Sequence, residues 1–354
     1  MDLHKGISVR VVTLSVAGAL LVFAGIGLAA MIARSMLNYR AEASRHGGEV
    51  IELGANARPQ AGQHGYMARV VGTPVVVEAP HDPEFNLQVN TPVLMRHVEM
   101  FQWREIRIGD SVHYELDWVD RLLDASRFAQ PAGHANPTSF PLSGKQFDAG
   151  LVQMGGFKLG TVLMHALPGS EQITPEIRAL PDNLAATFSK YQNYLVSSAH
   201  PADPRLGDVR VSWDEVPLQE VTIVGRLDGD QLLAASDAAD GRGYNVQVGD
   251  VSLLDMFPDL PMPPEFVTSG RILSVLLASL GAFLLLLSHR GEQRDVLLAL
   301  ALGALAVGTV ASVLWLGNDT EAMFEWLAIA LLGLAVAIWR LRRARLMLIE
   351  ADHH

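Results

Sequence analysis

The chain has 354 residues, 49% of them hydrophobic, and a formal net charge of −11 at pH 7. It contains no cysteine, which excludes disulfides, thiolate metal sites and thiol nucleophiles. Residues 35–270 carry 17 Lys plus Arg against 30 Asp plus Glu. Because an acidic segment repels phosphate backbones, we predict no nucleic-acid partner.

Four long apolar stretches dominate the chain, at residues 11–33, 272–288, 296–316 and 323–339. A helix rises about 1.5 Å per residue, so about 20 apolar residues cross the hydrocarbon core of a bilayer. The first stretch is too long for the apolar region of a signal peptide, and we expect it to be a retained anchor. The sequence therefore predicts an integral membrane protein with one N-terminal and three C-terminal transmembrane helices.

The charges that flank these stretches predict an orientation, because short cytoplasmic segments collect Lys and Arg. The segment after the last stretch is the most basic, with Arg340, Arg342, Arg343 and Arg345. The loop before that stretch carries Asp319 and Glu321 and no basic residue. We therefore expect residues 1–10 and 340–354 in the cytoplasm and residues 34–271 outside. Three residues oppose this orientation weakly: Arg34, Arg40 and Arg45.

The segment outside the membrane has mostly the pattern of a β domain. Val93–Ile108 alternates in part between apolar and polar residues, and Val112–Val119 alternates throughout, as expected of half-buried strands. We predict a helix over Thr174–Tyr194 and a pair of strands at Asp208–Trp213 and Val216–Leu227. The fold class expected for residues 34–271 is therefore a large, mostly β domain of the α+β type.

A series of short motifs in this domain forms a family pattern. In chain order the motifs contain Trp103 and Glu105, then Gly133-His134-Ala135-Asn136-Pro137, then Gly207-Asp208-Val209-Arg210-Val211-Ser212, and then Gly229-Asp230. Together with one helix before the domain and three after it, this order resembles the transmembrane protein 43 family, also called LUMA. Members of that family are known from inner nuclear and endoplasmic-reticulum membranes of animals, and some are bacterial.

The resemblance implies a scaffold for membrane complexes, with proposed links to lipid metabolism and without an established catalytic activity or cofactor. The expected partners are membrane lipids, other membrane proteins and further copies of the chain. The family places its large domain in the lumen, in agreement with the charge argument. The composition favours a bacterial member, with the domain in the periplasm at the inner membrane. Two alternatives remain open: a lipid-binding membrane module, and a membrane-bound enzyme acting on lipid or envelope substrates.

Several residues have the chemistry of catalytic or metal-binding groups, but each also fits a structural role. His134 beside Asn136 could act as a general base, but we favour a turn in which His134 bonds a loop carbonyl. His97 and Glu99 share a strand face, yet two ligands are too few for a zinc site. The spacing of four acidic residues differs from a calcium loop and suggests a solvated turn: Asp228, Asp230, Asp237 and Asp240. We therefore predict no catalytic and no metal-binding residue.

Small residues recur at four-residue spacing in two of the apolar stretches, at Gly25, Ala29 and Ala33 and at Ala304, Gly308 and Ser312. Ala and Gly are common in membrane helices, which is the simpler explanation. The alternative is close helix packing, within one bundle or between copies. The helix centres contain no Asp, Lys, Arg or His, which argues against transport because ion relays use such residues.

Overall fold

The computed structural model describes residues 2–55, 57–177, 180–261, 264–290 and 295–351, with side chains described only within residues 11–288 and 295–343. The chain divides into two units. The membrane unit comprises Met1–Glu42 and Asp259–His354, and the sheet unit comprises Ala43–Pro258. Of the basic residues predicted for the tail, Arg345 lies outside the described side chains.

The elements follow the predicted order of one long helix, a sheet-rich domain and three long helices, which confirms the expected fold class. The helices are α1 (Asp2–Arg45), α2 (Thr161–His165), α3 (Asp182–Thr187), α4 (Leu253–Met256), α5 (Val267–Arg290), α6 (Val296–Trp315) and α7 (Thr320–Ala351). The strands are β1 (Val50–Gly54), β2 (Met67–Gly72), β3 (Val75–Glu78), β4 (His81–Asp82), β5 (Leu87–Gln88), β6 (Val93–Ile108), β7 (Ser111–Val119), β8 (Lys145–Asp148), β9 (Leu151–Met154), β10 (Phe157–Leu159), β11 (Glu171–Ile173), β12 (Ser189–Tyr191), β13 (Tyr194–Val196), β14 (Val209–Glu215), β15 (Val221–Asp228), β16 (Gln231–Leu233) and β17 (Asn245–Val248).

The four long helices are each long and apolar enough to cross a membrane. Their candidate spans are Val11–Arg45, Val267–Ser288, Val296–Trp315 and Thr320–Arg343. The spans in α5 and α7 have 22 and 24 residues, because both helices continue beyond their apolar stretches. Each therefore reaches the roughly 20 residues that a bilayer crossing needs.

Ion pairs lie just beyond the two ends of α6, whose 20 residues span about 30 Å. Asp295 precedes the helix, where it accepts a hydrogen bond from the Leu298 amide at 2.9 Å and one from Arg340 Nε at 3.0 Å. At the opposite end the pairs are Arg40–Asp319 at 2.6 Å and Arg271–Glu325 at 3.6 Å. These charged groups are neutralised where the apolar part of the bundle ends.

Small residues allow close contacts between the helices of the membrane unit. A Cβ atom on Gly25 would lie 2.8 Å from the Ala278 amide in α5. A Cβ atom on Gly308 would lie 2.9 Å from the Ala330 amide in α7. Of the predicted packing positions, Ala304 is half-buried and five are buried: Gly25, Ala29, Ala33, Gly308 and Ser312. These are contacts within one chain, so packing between copies stays a prediction.

Replacing Gly25 by Ala should destabilise the membrane unit, because the new methyl group would overlap α5. We expect a loss of about 1–3 kcal/mol. Gly27→Ala is the matched control, since a Cβ atom there would meet nothing within 4 Å and the change only improves helix propensity. Thermal unfolding in detergent compares the two variants. Equal melting temperatures would contradict a close contact at Gly25.

The sheet unit contains two large sheets. The first has eight strands in the order β1-β2-β15-β16-β10-β9-β3, with β17 also paired to β15. The second has seven strands in the order β12-β13-β14-β6-β7, with β11 paired to β14 and β8 paired to β6. Trp213 and Phe85 pack edge to face, with ring centroids 4.9 Å apart, in the core of the second sheet.

Two sequence predictions within the sheet unit are wrong. In the described part of the segment predicted as a long helix, α3 is the one α-helix, because Pro181 interrupts the segment and the chain then forms the β12–β13 hairpin, which buries Leu195. The predicted pairing of β14 with β15 is also wrong. β14 pairs with β6 in the second sheet, whereas β15 pairs with β2 in the first. Pro217 lies between the two strands, where the chain passes from one sheet to the other.

Candidate functional site

The hairpin of β6 and β7 extends past its neighbours in the second sheet. β14 pairs with β6 only from Leu94 to Met100, whereas β7 pairs with β6 from Met100 to Ile108. We call residues 101–118, which lie beyond β14, the arm. The arm contains Trp103 and Glu105, two of the residues that carry the family pattern.

β7 and β8 lie along the same edge of β6, opposite the edge that β14 occupies. Met100 pairs with β14 on one side and with Val119 of β7 on the other. Arg96 likewise pairs with β14 and with Lys145 of β8. Both β7 and β8 run antiparallel to β6. They are therefore two parts of one strand line, interrupted by residues 120–144, which we call the excursion.

Asn136 fastens the excursion to the arm. Its Oδ1 atom accepts a hydrogen bond from the Trp103 amide at 2.8 Å, and its Nδ2 donates to the Trp103 carbonyl at 2.9 Å. The same Nδ2 donates to the Leu123 carbonyl at 3.2 Å. Since Trp103 lies beyond the end of β14, the carboxamide takes the place of a neighbouring strand at this residue.

His134 packs between aromatic rings of the arm. Its ring stacks on Tyr114, with centroids 3.9 Å apart, and meets Trp103 edge-on at 4.8 Å. Its Nδ1 lies 2.9 Å from the Gln130 carbonyl, which can only accept, so Nδ1 carries the proton. The packing and this hydrogen bond favour a structural role for His134 over that of a general base.

Glu105 and Tyr114 hold the middle of the excursion. Glu105 accepts hydrogen bonds from the Ala129 amide at 2.5 Å, the Tyr114 hydroxyl at 2.9 Å and Arg107 at 3.0 Å. The Ala129 amide, followed by Tyr114 and Arg107, lowers the pKa of the Glu105 carboxyl. Burial raises the pKa of the Tyr114 hydroxyl, which also accepts a bond from the Gln130 amide at 2.8 Å.

A second group of pattern residues ends the pairing of β14. The Gly207 amide donates to the Phe101 carbonyl at 2.9 Å, and the Phe101 amide donates to the Asp208 carbonyl at 2.8 Å. Gly207 and Asp208 thus both bond to Phe101, which forms a β-bulge. The positive φ of Gly207 (+91°) permits this bulge. Pro137 lies 3.4 Å from the position of a Cβ atom on Gly207, so the two motifs meet at this end of the arm.

Arg210 of β14 makes cation–π contacts with two aromatic rings. Its guanidinium lies 4.8 Å from the ring centroid of Trp118 and 4.5 Å from that of Tyr194. Its Nε donates to Glu99 at 2.6 Å. Glu99 is therefore already occupied. In the described part of the chain, no three His, Asp or Glu side chains cluster closely enough to hold a metal ion.

Gly229 and Asp230 lie far from the arm in the topology, in the turn between β15 and β16 of the first sheet. Gly229 has a φ of +60°, and Asp230 pairs with Lys158 at 2.8 Å. This ion pair lowers the pKa of Asp230. The other acidic residues have separate partners: Asp228 contacts His64, Asp237 pairs with Arg226, and Asp240 accepts bonds from the Arg242 and Gly243 amides.

Two buried polar residues of β6 have a role that the sequence analysis missed. The Arg96 guanidinium is buried and donates to Asp82 at 2.9 and 3.0 Å and to the Ser143 carbonyl at 3.0 and 3.2 Å. Gln102, fully buried, donates to the Arg121 carbonyl at 2.9 Å. The signal was present, because both residues share the strand phase of the apolar Leu94, Val98 and Met100.

These two side chains account for the break in the strand line. Extending β7 in register would place Arg121 opposite Val98, and extending β8 backwards would place Ser143 there. Instead, Gln102 holds the carbonyl of Arg121 and Arg96 holds the carbonyl of Ser143. The break leaves a cleft of about 900 Å³. The cleft is lined by side chains that include His97, Glu99, Trp118, Asp120 and Asp214.

The Val98 backbone faces the cleft. In antiparallel pairing the amides and carbonyls of successive residues point to alternate sides. Phe101 and Val93 bond to the β14 side, so Val98, in the opposite phase, points away from β14. Among the described residues, no group bonds to the Val98 amide or carbonyl from the cleft. Val98 is only 3% exposed, so this unpaired donor and unpaired acceptor lie at the buried floor of the cleft.

The four candidate spans and the sheet unit define the class, an integral membrane protein with a large sheet-rich domain. The family described as Transmembrane protein 43 matches residues 100–330, so the chain belongs to this family, as its motifs predicted. The Transmembrane protein 43 homolog of Drosophila melanogaster is 26% identical over 190 residues, 49% of this chain and 50% of that protein. Transmembrane protein 43 of Rattus norvegicus and that of Homo sapiens are each 24% identical over 215 residues, 54% of this chain and 53% of the relative. The chain thus spans about half the length of these relatives, and no solved structure matches.

Asn136→Ala should release the excursion, because it removes the hydrogen bonds to Trp103 and Leu123. We expect a loss of about 2–3 kcal/mol and faster tryptic cleavage after Arg127. Asn193→Ala is the control, since half-buried Asn193 bonds within the described chain only to other side chains, at 3.2 Å, and its loss should change stability by less than about 0.5 kcal/mol. Unchanged cleavage in Asn136→Ala would contradict the anchoring role.

Proposed function

We propose that the protein is a non-enzymatic scaffold that self-associates in the membrane and organises membrane protein complexes. One observation carries this proposal: the pattern residues Trp103, His134 and Asn136 are used to fix the excursion on the arm. Their polar atoms bond to the backbone, and the ring of His134 lies between two other rings. Such an arrangement presents a rigid surface and does not activate a nucleophile or base.

The arm offers apolar side chains for contact with partners. Ile108, at the hairpin turn, is 67% exposed. Further large apolar side chains are partly exposed on the arm and at the start of the excursion, at Val112, Leu116 and Leu122. Grouped apolar residues on an ordered, exposed hairpin are typical of protein contact surfaces. The proposed partners are other membrane proteins and membrane lipids.

We propose that the sheet unit lies outside the cytoplasm, in the periplasm at the inner membrane of a bacterium, or in the lumen if the source is eukaryotic. The ion pairs of the membrane unit support this orientation. Arg40, which weakly opposes it, is neutralised by Asp319, whereas Arg342 and Arg343 in the tail are exposed. Arg340 of the tail is paired with Asp295. Among the described side chains, two exposed arginines without an ion pair therefore lie in the tail, against one, Arg34, after the first apolar stretch, and this difference favours a cytoplasmic tail.

The absence of cysteine makes the orientation directly measurable with single-cysteine variants. A membrane-impermeant maleimide should label His113→Cys in the exposed arm of intact cells. It should label Arg342→Cys in the tail only after permeabilisation. Both positions are exposed in the structure, so access through the membrane decides the result. The opposite labelling pattern would overturn the orientation.

Lipid binding is a second candidate function, supported by an apolar groove of about 350 Å³ in the membrane unit. Small residues of α5 and α6, including Ala278, Ala282 and Gly303, line the groove, and Val22 and Leu286 lie beside them. A groove of this composition fits an acyl chain, because it offers apolar contact without a polar group that would need a partner.

Native mass spectrometry of the protein released from nanodiscs tests both functions. The scaffold proposal predicts masses of two or more copies at micromolar concentration, and a purely monomeric spectrum would overturn self-association. Lipid binding predicts retained lipid that is lost in Ala282→Trp, which fills the groove. The control is Leu280→Trp, because Leu280 is 50% exposed and does not line the groove. Equal lipid retention in both variants would exclude the groove as the lipid site.

A further inference from the structure

We propose that the cleft beside Val98 binds an extended, positively charged peptide segment of a partner protein, one residue of which completes the interrupted strand line. This inference rests on the scaffold function and specifies how a partner would be recognised.

The hydrogen bonds offered by the cleft are those of a strand. An antiparallel partner residue in a hydrogen-bonded pair exchanges both backbone bonds with the residue opposite. Arg96, paired with Lys145, and Met100, paired with Val119, flank Val98 in the same phase. A peptide residue opposite Val98 would therefore continue the register of β7 and β8. Adding a strand to an open sheet position is an established mode of peptide recognition.

Asn136 shows the same principle on the opposite edge of β6. There a side-chain amide bonds to both the amide and the carbonyl of Trp103, at 2.8 and 2.9 Å. A strand residue without a neighbouring strand is thus satisfied by an amide that belongs to the chain itself. At Val98 no described group of the chain performs this role, so the position is open to a ligand.

The length of the gap limits the contact. β7 ends opposite Met100 and β8 begins opposite Arg96, so only His97, Val98 and Glu99 lack a strand partner on this edge. Three residues of strand correspond to roughly 10 Å. Only one peptide residue can therefore pair with Val98. The peptide residues before and after it must diverge from β6 and cross the edge of the cleft.

The charge of the cleft selects basic segments. Apart from the buried and paired Arg96, its lining contains Arg121 and Arg104, the latter paired with Asp117. Four carboxylates also line it, of which Glu99, Glu105 and Asp214 are paired with Arg210, Arg107 and His97 and the fourth is Asp120. Asp120 has no ion pair among the described residues. The surrounding segment is strongly acidic as well, and its field attracts positive ligands.

Selection of a random dodecapeptide phage library on the detergent-solubilised full chain tests the proposal. We expect enriched peptides that contain Lys or Arg and bind more weakly as salt rises. Val98→Pro should weaken their binding about tenfold or more, because one buried hydrogen bond is lost. Because Val98 is buried in the core of the second sheet, circular dichroism checks that the variant is folded, and the Asp120 variant below tests the same proposal without a change in the core. No enrichment, or equal binding to Val98→Pro, would overturn the proposal.

Two variants, each of which reverses the charge of one Asp, provide a test that does not need a proline in a strand. Asp120→Lys should weaken the selected peptides about tenfold at low salt, whereas Asp110→Lys should change binding less than about twofold. Both residues are exposed and the change in net charge is the same, but only Asp120 lines the cleft. Equal effects would show a general charge effect and contradict binding in the cleft.

The failure of this inference is distinguishable from failure of the scaffold function. Self-association is read from the mass of the complex, and Val98→Pro and Asp120→Lys should leave that mass unchanged. A protein that assembles but selects no peptide retains the scaffold function and excludes the peptide site. A monomeric protein that binds basic peptides through Val98 retains the peptide site and overturns self-association.

Discussion

The buried guanidinium of Arg96 is the constraint on which the architecture of the second sheet depends. A buried charge costs several kcal/mol unless it is paired and fully hydrogen-bonded. The fold meets this demand with Asp82, which also accepts a bond from the Trp213 indole at 3.0 Å, and with the Ser143 carbonyl. Because Ser143 bonds to Arg96, it cannot pair with Val98. Gln102 has the same effect on Arg121 from the other side. An interrupted strand is therefore the consequence of two polar side chains on the buried face of β6.

The arrangement of the family motifs follows from this interruption. The 25-residue excursion that replaces three residues of strand carries both His134 and Asn136, and these residues return it to the arm. The bulge at Gly207 and Asp208 ends β14 at Phe101, which leaves Trp103 free to bond with Asn136. Motifs that are far apart in sequence thus act on neighbouring residues of one strand. The turn at Gly229 and Asp230 lies in the other sheet and has no part in this arrangement.

Local patterns in the sequence predicted the long elements well and their partners poorly. The four apolar stretches indicated the membrane helices, and the alternation over Val93–Ile108 gave β6 with the bounds that the structure has. Pairing depends on contacts between distant residues, which explains why β14 and β15 were wrongly predicted as neighbours. The helix predicted over Thr174–Tyr194 failed because burial of Leu195 in the sheet outweighs local propensity. The cleft was not predicted, because the gap opposite Val98 results from the pairing of β7 and β8 with the same edge of β6, and sequence patterns do not reveal such pairing.

Site-resolved amide hydrogen exchange along β6, measured on the full chain in nanodiscs, tests the central claim most directly. We expect the Val98 amide to exchange about 100-fold faster or more than the amides of Arg96 and Met100, because Val98, unlike those two residues, lacks a strand partner on the cleft side. Protection of Val98 equal to that of its neighbours would contradict an interrupted strand line, and with it the cleft.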